Sequence, residues 1–181
     1  MVLSEKDRDI FFDNYLPILF YAAVYEGLMP QNSRLTDFKD VSLDTKARSR
    51  DVLFTDKEVL KYFLTDNKHL LDKKAVEFIR EISRGLLSDF IVLKQKKEFA
   101  VLMELGTNNF YEIINITDSF DEMLPELPVK VKTAIFNFNG KIICDGLIVG
   151  GNVLIGPGMT STFLLDYKEA IKAWKVINLF K

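Results

Sequence analysis

Ile10, Phe11, Leu19, Phe20, Ala23 and Val24 recur near the three-to-four spacing of a helical face, behind Ser4 and Asp7, which suit a helix start. The pattern predicts a helix over residues 5–27, ended by Gly27, Met29 and Pro30. Pro17 lacks a backbone donor, so a kink or a split is expected there. Residues 30–50 are polar, with isolated apolar anchors at Leu35, Phe38, Val41 and Leu43, and read as a long connection. Thr55 and Glu58 have the spacing of a capping box ahead of Val59, Leu60, Phe63 and Leu64, a helix that should stop near Asp66-Asn67. Another is expected from Asp72, with Val76, Ile79, Ile82 and Leu86 on its apolar face.

After Ser88-Asp89 the period of apolar positions changes to two. Residues 90–94, 99–105 and 110–116 read as strands, joined at Gln95-Lys96-Lys97 and at Gly106-Thr107-Asn108-Asn109. Asp118 and Asp121 open a short helical turn carrying Phe120, Met123 and Leu124, closed by Pro125 and Pro128. Residues 129–138 and 141–149 form a hairpin about Asn139-Gly140, a pair suited to the two positive-φ positions of a type I′ turn. Gly150-Gly151-Asn152 then reads as a tight turn into a short strand, residues 153–155. Phe163, Tyr167, Ala170, Ile171, Trp174 and Ile177 line one face of a terminal helix, with Lys168, Glu169, Lys172 and Lys175 largely on the other.

The expected fold class is α+β. A helical N-terminal lobe (residues 1–88) is followed by a five- or six-stranded antiparallel meander sheet with a C-terminal helix packed on it (residues 89–181), the two lobes making a single domain. A chain of 181 residues can bury about 70% of its unfolded surface, so such a fold needs no covalent staple.

Charge and cysteine usage narrow the function classes. With 24 Lys and Arg against 26 Asp and Glu, the net charge of -2 provides no broad field for nucleic acid or anionic lipid. One cysteine, Cys144, excludes an intramolecular disulfide framework and fits a reducing setting. No cationic start leads into an apolar core with a cleavage site, and the apolar stretch at residues 15–25 is short of the roughly 20 residues of a membrane span. A cytoplasmic protein without membrane attachment is expected.

Cys144-Asp145-Gly146 is a thiol beside a carboxylate at a strand end, but no base accompanies it. The single histidine, His69, lies between two helices in a solvated segment. A buried Cys144 is then expected to act as a small hydrophobe. Gly156-Pro157-Gly158-Met159-Thr160-Ser161-Thr162 precedes a helix, where amides and hydroxyls can hold an anion, although Thr160 or Ser161 also serves as an ordinary N-cap. Asp145, Gly158, Thr160 and Ser161 are the candidate ligand-binding residues, and no catalytic set is assigned. Ligand spacings for zinc or calcium are missing from the sequence, and no metal or cofactor is expected. Basic clusters at residues 46–50 and 94–97 and at Lys130, Lys132 and Lys141 could touch phosphate, with Phe110, Tyr111, Phe136 and Phe138 as an aromatic face. Core packing and edge protection explain the same residues.

Asn139-Gly140-Lys141-Ile142-Ile143-Cys144-Asp145-Gly146-Leu147 resembles a hairpin found in a group of uncharacterised bacterial proteins, and the likeness spans residues 131–148. Gly140-Lys141-Ile142-Ile143 and Asp145-Gly146-Leu147 are shared. Phe136-Asn137-Phe138 stands where that group often has Leu-Pro-Phe, and Cys144 where it has Tyr, a departure that counts against catalysis by the thiol. The resemblance implies no established activity. The function expected from the whole sequence is a non-catalytic protein-interaction or regulatory module with a protein partner. The alternatives are a nucleic-acid-binding accessory protein, or an enzyme or small-ligand sensor near Cys144 and Asp145. An uncovered sheet face or edge would also suit a homodimer.

Overall fold

Ser4 begins the first helix, α1 (Glu5–Tyr25): its Oγ accepts the Asp7 N–H at 3.2 Å. In this computed structural model, which describes residues 1–124 and 126–180, Phe11, Tyr15, Ile18, Leu19, Ala22 and Ala23 form its buried stripe. The helix runs through Pro17 as one element rather than splitting. It ends on Gly27 at φ +73°, with Gly27 N–H bonded to Val24 O and Leu28 N–H to Ala23 O, the paired closure that a left-handed residue permits.

The segment read as a long connection is instead mostly helical, with α2 (Leu35–Lys39) and α3 (Leu43–Thr55) inside it. The inward positions of α3 are Ala47, Ser49, Arg50 and Leu53, so half of its buried face is polar and an apolar stripe is missing from the sequence. Ser49 Oγ donates to Thr45 O at 2.8 Å, and Arg50 Nε donates to Asp51 Oδ1 at 2.6 Å. The expected Thr55 and Glu58 box does not form. Thr55 closes α3, and α4 (Glu58–Asp66) starts with the Glu58 N–H bonded to Asp56 Oδ1 at 3.0 Å. Asp72 caps α5 (Lys73–Arg84) by accepting from Ala75 N–H at 2.8 Å, as its position predicts. Phe78 packs edge to ring on Phe11 and Tyr15, with centroids 5.8 and 6.4 Å away, and Phe11 and Tyr15 are tilted against each other at 4.9 Å. These helices make one compact unit, Ser4–Gly85.

A second unit consists of Met1–Leu3 and the chain from Leu86 onward. Its strands are β1 (Leu86–Gln95), β2 (Ala100–Glu104), β3 (Phe110–Ile113), β4 (Val129–Phe138), β5 (Lys141–Cys144) and β6 (Val149–Leu154). All of their ladders are antiparallel. The hairpin signals leave the strand order open, and the order found is β3-β2-β1-β4-β5, with β6 also on β4. After β3 the chain makes a short helix, α6 (Phe120–Met123), and β4 returns to lie against β1. Ser119 and Glu122 form the capping box of α6, one residue from the expected Asp118 cap. Pro125, expected to help close this turn, lies outside the described residues. Asn139 and Gly140 adopt φ +50° and +74° at the β4–β5 turn, in accord with the hairpin prediction.

The sheet curls until the residue after β3, Ile114, meets β5: Ile114 N–H donates to Ile142 O at 2.9 Å and Cys144 N–H to Ile114 O at 3.0 Å. Phe90, Val92, Leu102, Tyr111, Val131, Ile142 and Cys144 belong to one buried cluster. The alternate residues Ile91, Leu93, Val101, Met103 and Phe110 belong to another, covered by Tyr167 of α7 (Pro157–Lys172). β2 is thus buried on both faces, which is why it reads as a continuous apolar run. The helix predicted to reach Ile177 ends at Lys172, and Trp174 stands 95% exposed at φ +56°.

Candidate functional site

The Asp145 corner is a structural joint. Thr133, on β4, has its hydroxyl 3.0 Å from Asp145 Oδ1 and 3.1 Å from Cys144 Sγ, and the Leu147 N–H donates to the same carboxylate oxygen at 3.1 Å. Thr133, Cys144 and Asp145 are all buried, and the Asp145 N–H donates to Ala134 O at 3.0 Å. Gly146 bends the chain away at φ +79°. The carboxylate is accordingly used to tie the end of β5 to β4. His69 lies in the helical unit, exposed in the turn before α5.

The other three candidates sit in the first turns of α7. Gly156 is the N-cap and Pro157 the first helical residue, so Thr160 and Ser161 are inside the helix and are not its caps. Their hydroxyls bond backward: Thr160 Oγ1 donates to Gly156 O at 3.1 Å and Ser161 Oγ to Pro157 O at 3.0 Å. Gly158 accepts from Thr162 Oγ1 at 3.2 Å. Asp145 follows β5, whose Cys144 belongs to one buried cluster, whereas α7 covers the alternate sheet face, so the four candidates do not converge on one polar centre.

A polar chain with no local sequence signal lies under α7. Tyr167 is 1% exposed, and its hydroxyl donates to Glu112 Oε1 on β3 at 2.6 Å. Lys96 Nζ lies 3.4 Å from the same hydroxyl, and Lys94 Nζ sits 4.8 Å from the ring centroid. Burial, then the hydrogen bond to Glu112 and its charge, push the Tyr167 phenol well above its ordinary range. Burial and the neighbouring Lys96 and Lys168 push the Lys94 ammonium down. The partners are 55 and 71 positions apart in sequence, beyond the reach of any motif reading.

Beside Glu112 is a cleft of about 470 Å³, bounded by the β1–β2 hairpin, β3, the start of β5 and the tail after α7. The tail also covers the outer edge of β3: Glu112 N–H donates to Ile177 O at 3.0 Å, and Ile177 N–H to Phe110 O at 2.8 Å. Phe180 and Asn137 exchange two hydrogen bonds of 2.9 Å.

β6 is different. Gly150 and Gly151, expected as a turn, lie within the strand at φ +100° and +92°, where its register against β4 shifts. A Cβ on Gly151 would lie 3.0 Å from Leu124 Cδ2, the movable end of a side chain, so it is the backbone conformation that demands glycine. Ile155 N–H donates to Pro128 O at 3.0 Å, which turns the backbone of Ile155 and Val153 toward β4 and that of Leu154 outward. Among the described residues β6 pairs with β4 alone, and its Val149, Val153 and Leu154 are 45%, 58% and 51% exposed. Phe110, Tyr111, Phe136 and Phe138, considered for base stacking, are buried.

No helix among the described residues is long and apolar enough to cross a membrane, and these residues contain no metal-binding cluster of three or more His, Cys, Asp or Glu. Comparison with protein-family models, curated proteins and solved structures finds no match to the chain, so the functional reading rests on its own geometry.

Proposed function

We propose that the protein is a non-catalytic interaction module of the cytosol that takes up an extended segment of a partner protein as an added strand on β6. The observation carrying this reading is the contrast between sheet edges. The outer edge of β3 is occupied by the tail at Ile177, and β5 is bridged by Ile114, whereas β6 offers outward backbone groups at Leu154 flanked by exposed apolar side chains. Backbone groups on such an edge provide affinity for any extended chain, and alternate side chains provide selectivity. The partner segment is therefore expected to be extended, free of proline and apolar at alternate positions.

An array of ten-residue peptides of alternating Val/Thr and Lys/Ser, beside scrambled and N-methylated versions, tests the proposal. Binding should need unmethylated amides on one edge of the peptide and should be lost in Val153→Asp. Indifference to N-methylation, or no peptide binding at all, would overturn it. If the chain itself is a dimer that Val153→Asp converts to a monomer, the edge is occupied by a second copy and the peptide reading fails. Steeply salt-dependent binding to single-stranded DNA that Val153→Asp leaves intact would favour the nucleic-acid alternative.

A further inference from the structure

We infer that the cleft beside Glu112 is a binding site for a small organic amine with an apolar body, independent of the β6 edge. Its volume of about 470 Å³ falls within the range of small-ligand sites, roughly 300–1,000 Å³. Phe99, Ile114 and Leu179 supply apolar wall, and Glu98, Glu112 and Lys141 supply charge; the Lys96 ammonium already lies 4.4 Å from the Phe99 ring centroid, so the amine is drawn to the two carboxylates and not to that ring.

Glu112 is the positioned group among the three. Its Oε1 is held by the buried Tyr167 hydroxyl at 2.6 Å, and Tyr167 in turn lies under Lys94 and beside Lys96. A carboxylate oriented in this way loses less conformational freedom on meeting a ligand than an exposed chain does, and its second oxygen is the atom assigned here to accept from the ammonium. Glu98 adds negative charge from the hairpin. Lys141 is exposed on a flexible stem at the tight turn, so it is a weaker determinant than Glu112 but would favour a ligand that also carries a carboxylate. The ligand chemistry is thus an ammonium beside an aromatic or aliphatic group, as in an arylalkylamine or an apolar amino acid.

The probes are phenethylamine, phenylalanine, 3-phenylpropanoate and phenethyl alcohol, each titrated into the full chain by NMR. Phenethylamine or phenylalanine should shift the amides of Phe99, Glu112, Ile114 and Leu179 and bind about tenfold more tightly than the alcohol or the acid. Glu112→Gln, checked for folding by its unperturbed spectrum elsewhere, should remove that preference. Glu98→Gln provides a second variant without the Tyr167 contact and should weaken the amine by a smaller factor. Saturable amine binding by phenethylamine but not phenylalanine identifies a simple amine site, and the reverse identifies an amino-acid site. No shifts at these residues, equal binding of amine and alcohol, tighter binding of the acid, or an amine preference that survives in Glu112→Gln would overturn the inference.

Discussion

Tyr167→Phe removes one oxygen from the interior of the sheet unit while keeping the ring that packs against Phe110 at 5.6 Å. The oxygen donates to a carboxylate at 2.6 Å, and hydrogen bonds to charged groups contribute about 1.5–3 kcal/mol. Glu112 is only half-buried, so water recovers part of that loss, and the Lys96 contact at 3.4 Å adds little. The expected destabilisation is about 1–2 kcal/mol. Tyr167→Ala also empties the space under α7 and should cost about 3–5 kcal/mol. Urea unfolding followed by far-UV circular dichroism measures both, because the lone tryptophan, Trp174, is 95% exposed and reports poorly on packing. A double-mutant cycle with Glu112→Gln should give a coupling of about 1 kcal/mol. A coupling within about 0.3 kcal/mol of zero, or a Tyr167→Phe protein as stable as the parent, would refute the claim that this bond orients Glu112 and secures α7.

Two other measurements follow from the same geometry. Tyr21 and Tyr111 have phenols raised to about 12, chiefly by burial and then by Asp66 and Glu104, and Tyr167 is raised in the same direction. The folded state therefore holds these protons more tightly than the unfolded state. Their contribution is complete below the ordinary phenol value of 10.0 and is lost as pH rises toward 12 and beyond. Urea midpoints should fall over that window, and a flat alkaline profile would contradict it. Asp145→Ala removes the buried oxygen that accepts from the Thr133 hydroxyl and the Leu147 N–H, and because Thr133 keeps Cys144 Sγ at 3.1 Å and Leu147 is half-buried, the loss should be about 1–3 kcal/mol in all. Asp145→Asn retains an oxygen there and should be at least about 1 kcal/mol less destabilising in urea unfolding. Equal losses would show that charge, and not acceptor geometry, holds the corner.

The parts of the fold that were legible in sequence are those in which an element declares itself locally. Ser4 and Asp72 mark helix starts, and Asn139-Gly140 marks a turn whose positive φ values are the reason for the pair. α3 was hidden because Ser49 and Arg50 occupy its buried face, and a periodicity of apolar residues cannot register a polar interior. Gly150-Gly151 misled for the opposite reason: glycine tolerates a bulge as readily as a turn, and only the pairing of this segment with β4 decides between them. Thr160 and Ser161 have the composition of caps, but Pro157 starts the helix a turn earlier.

Sequence alone determined that helices come first, that an antiparallel sheet follows and that Cys144 is an interior residue, because these depend on the spacing of side chains a few positions apart. Tertiary structure decided that β4 lies against β1, that the tail covers β3 while β6, among the described residues, pairs with β4 alone, and that Tyr167 reaches Glu112. Those pairings join residues separated by tens of positions. Several edges could satisfy the same backbone groups, and the choice among them rests on the burial of the whole sheet.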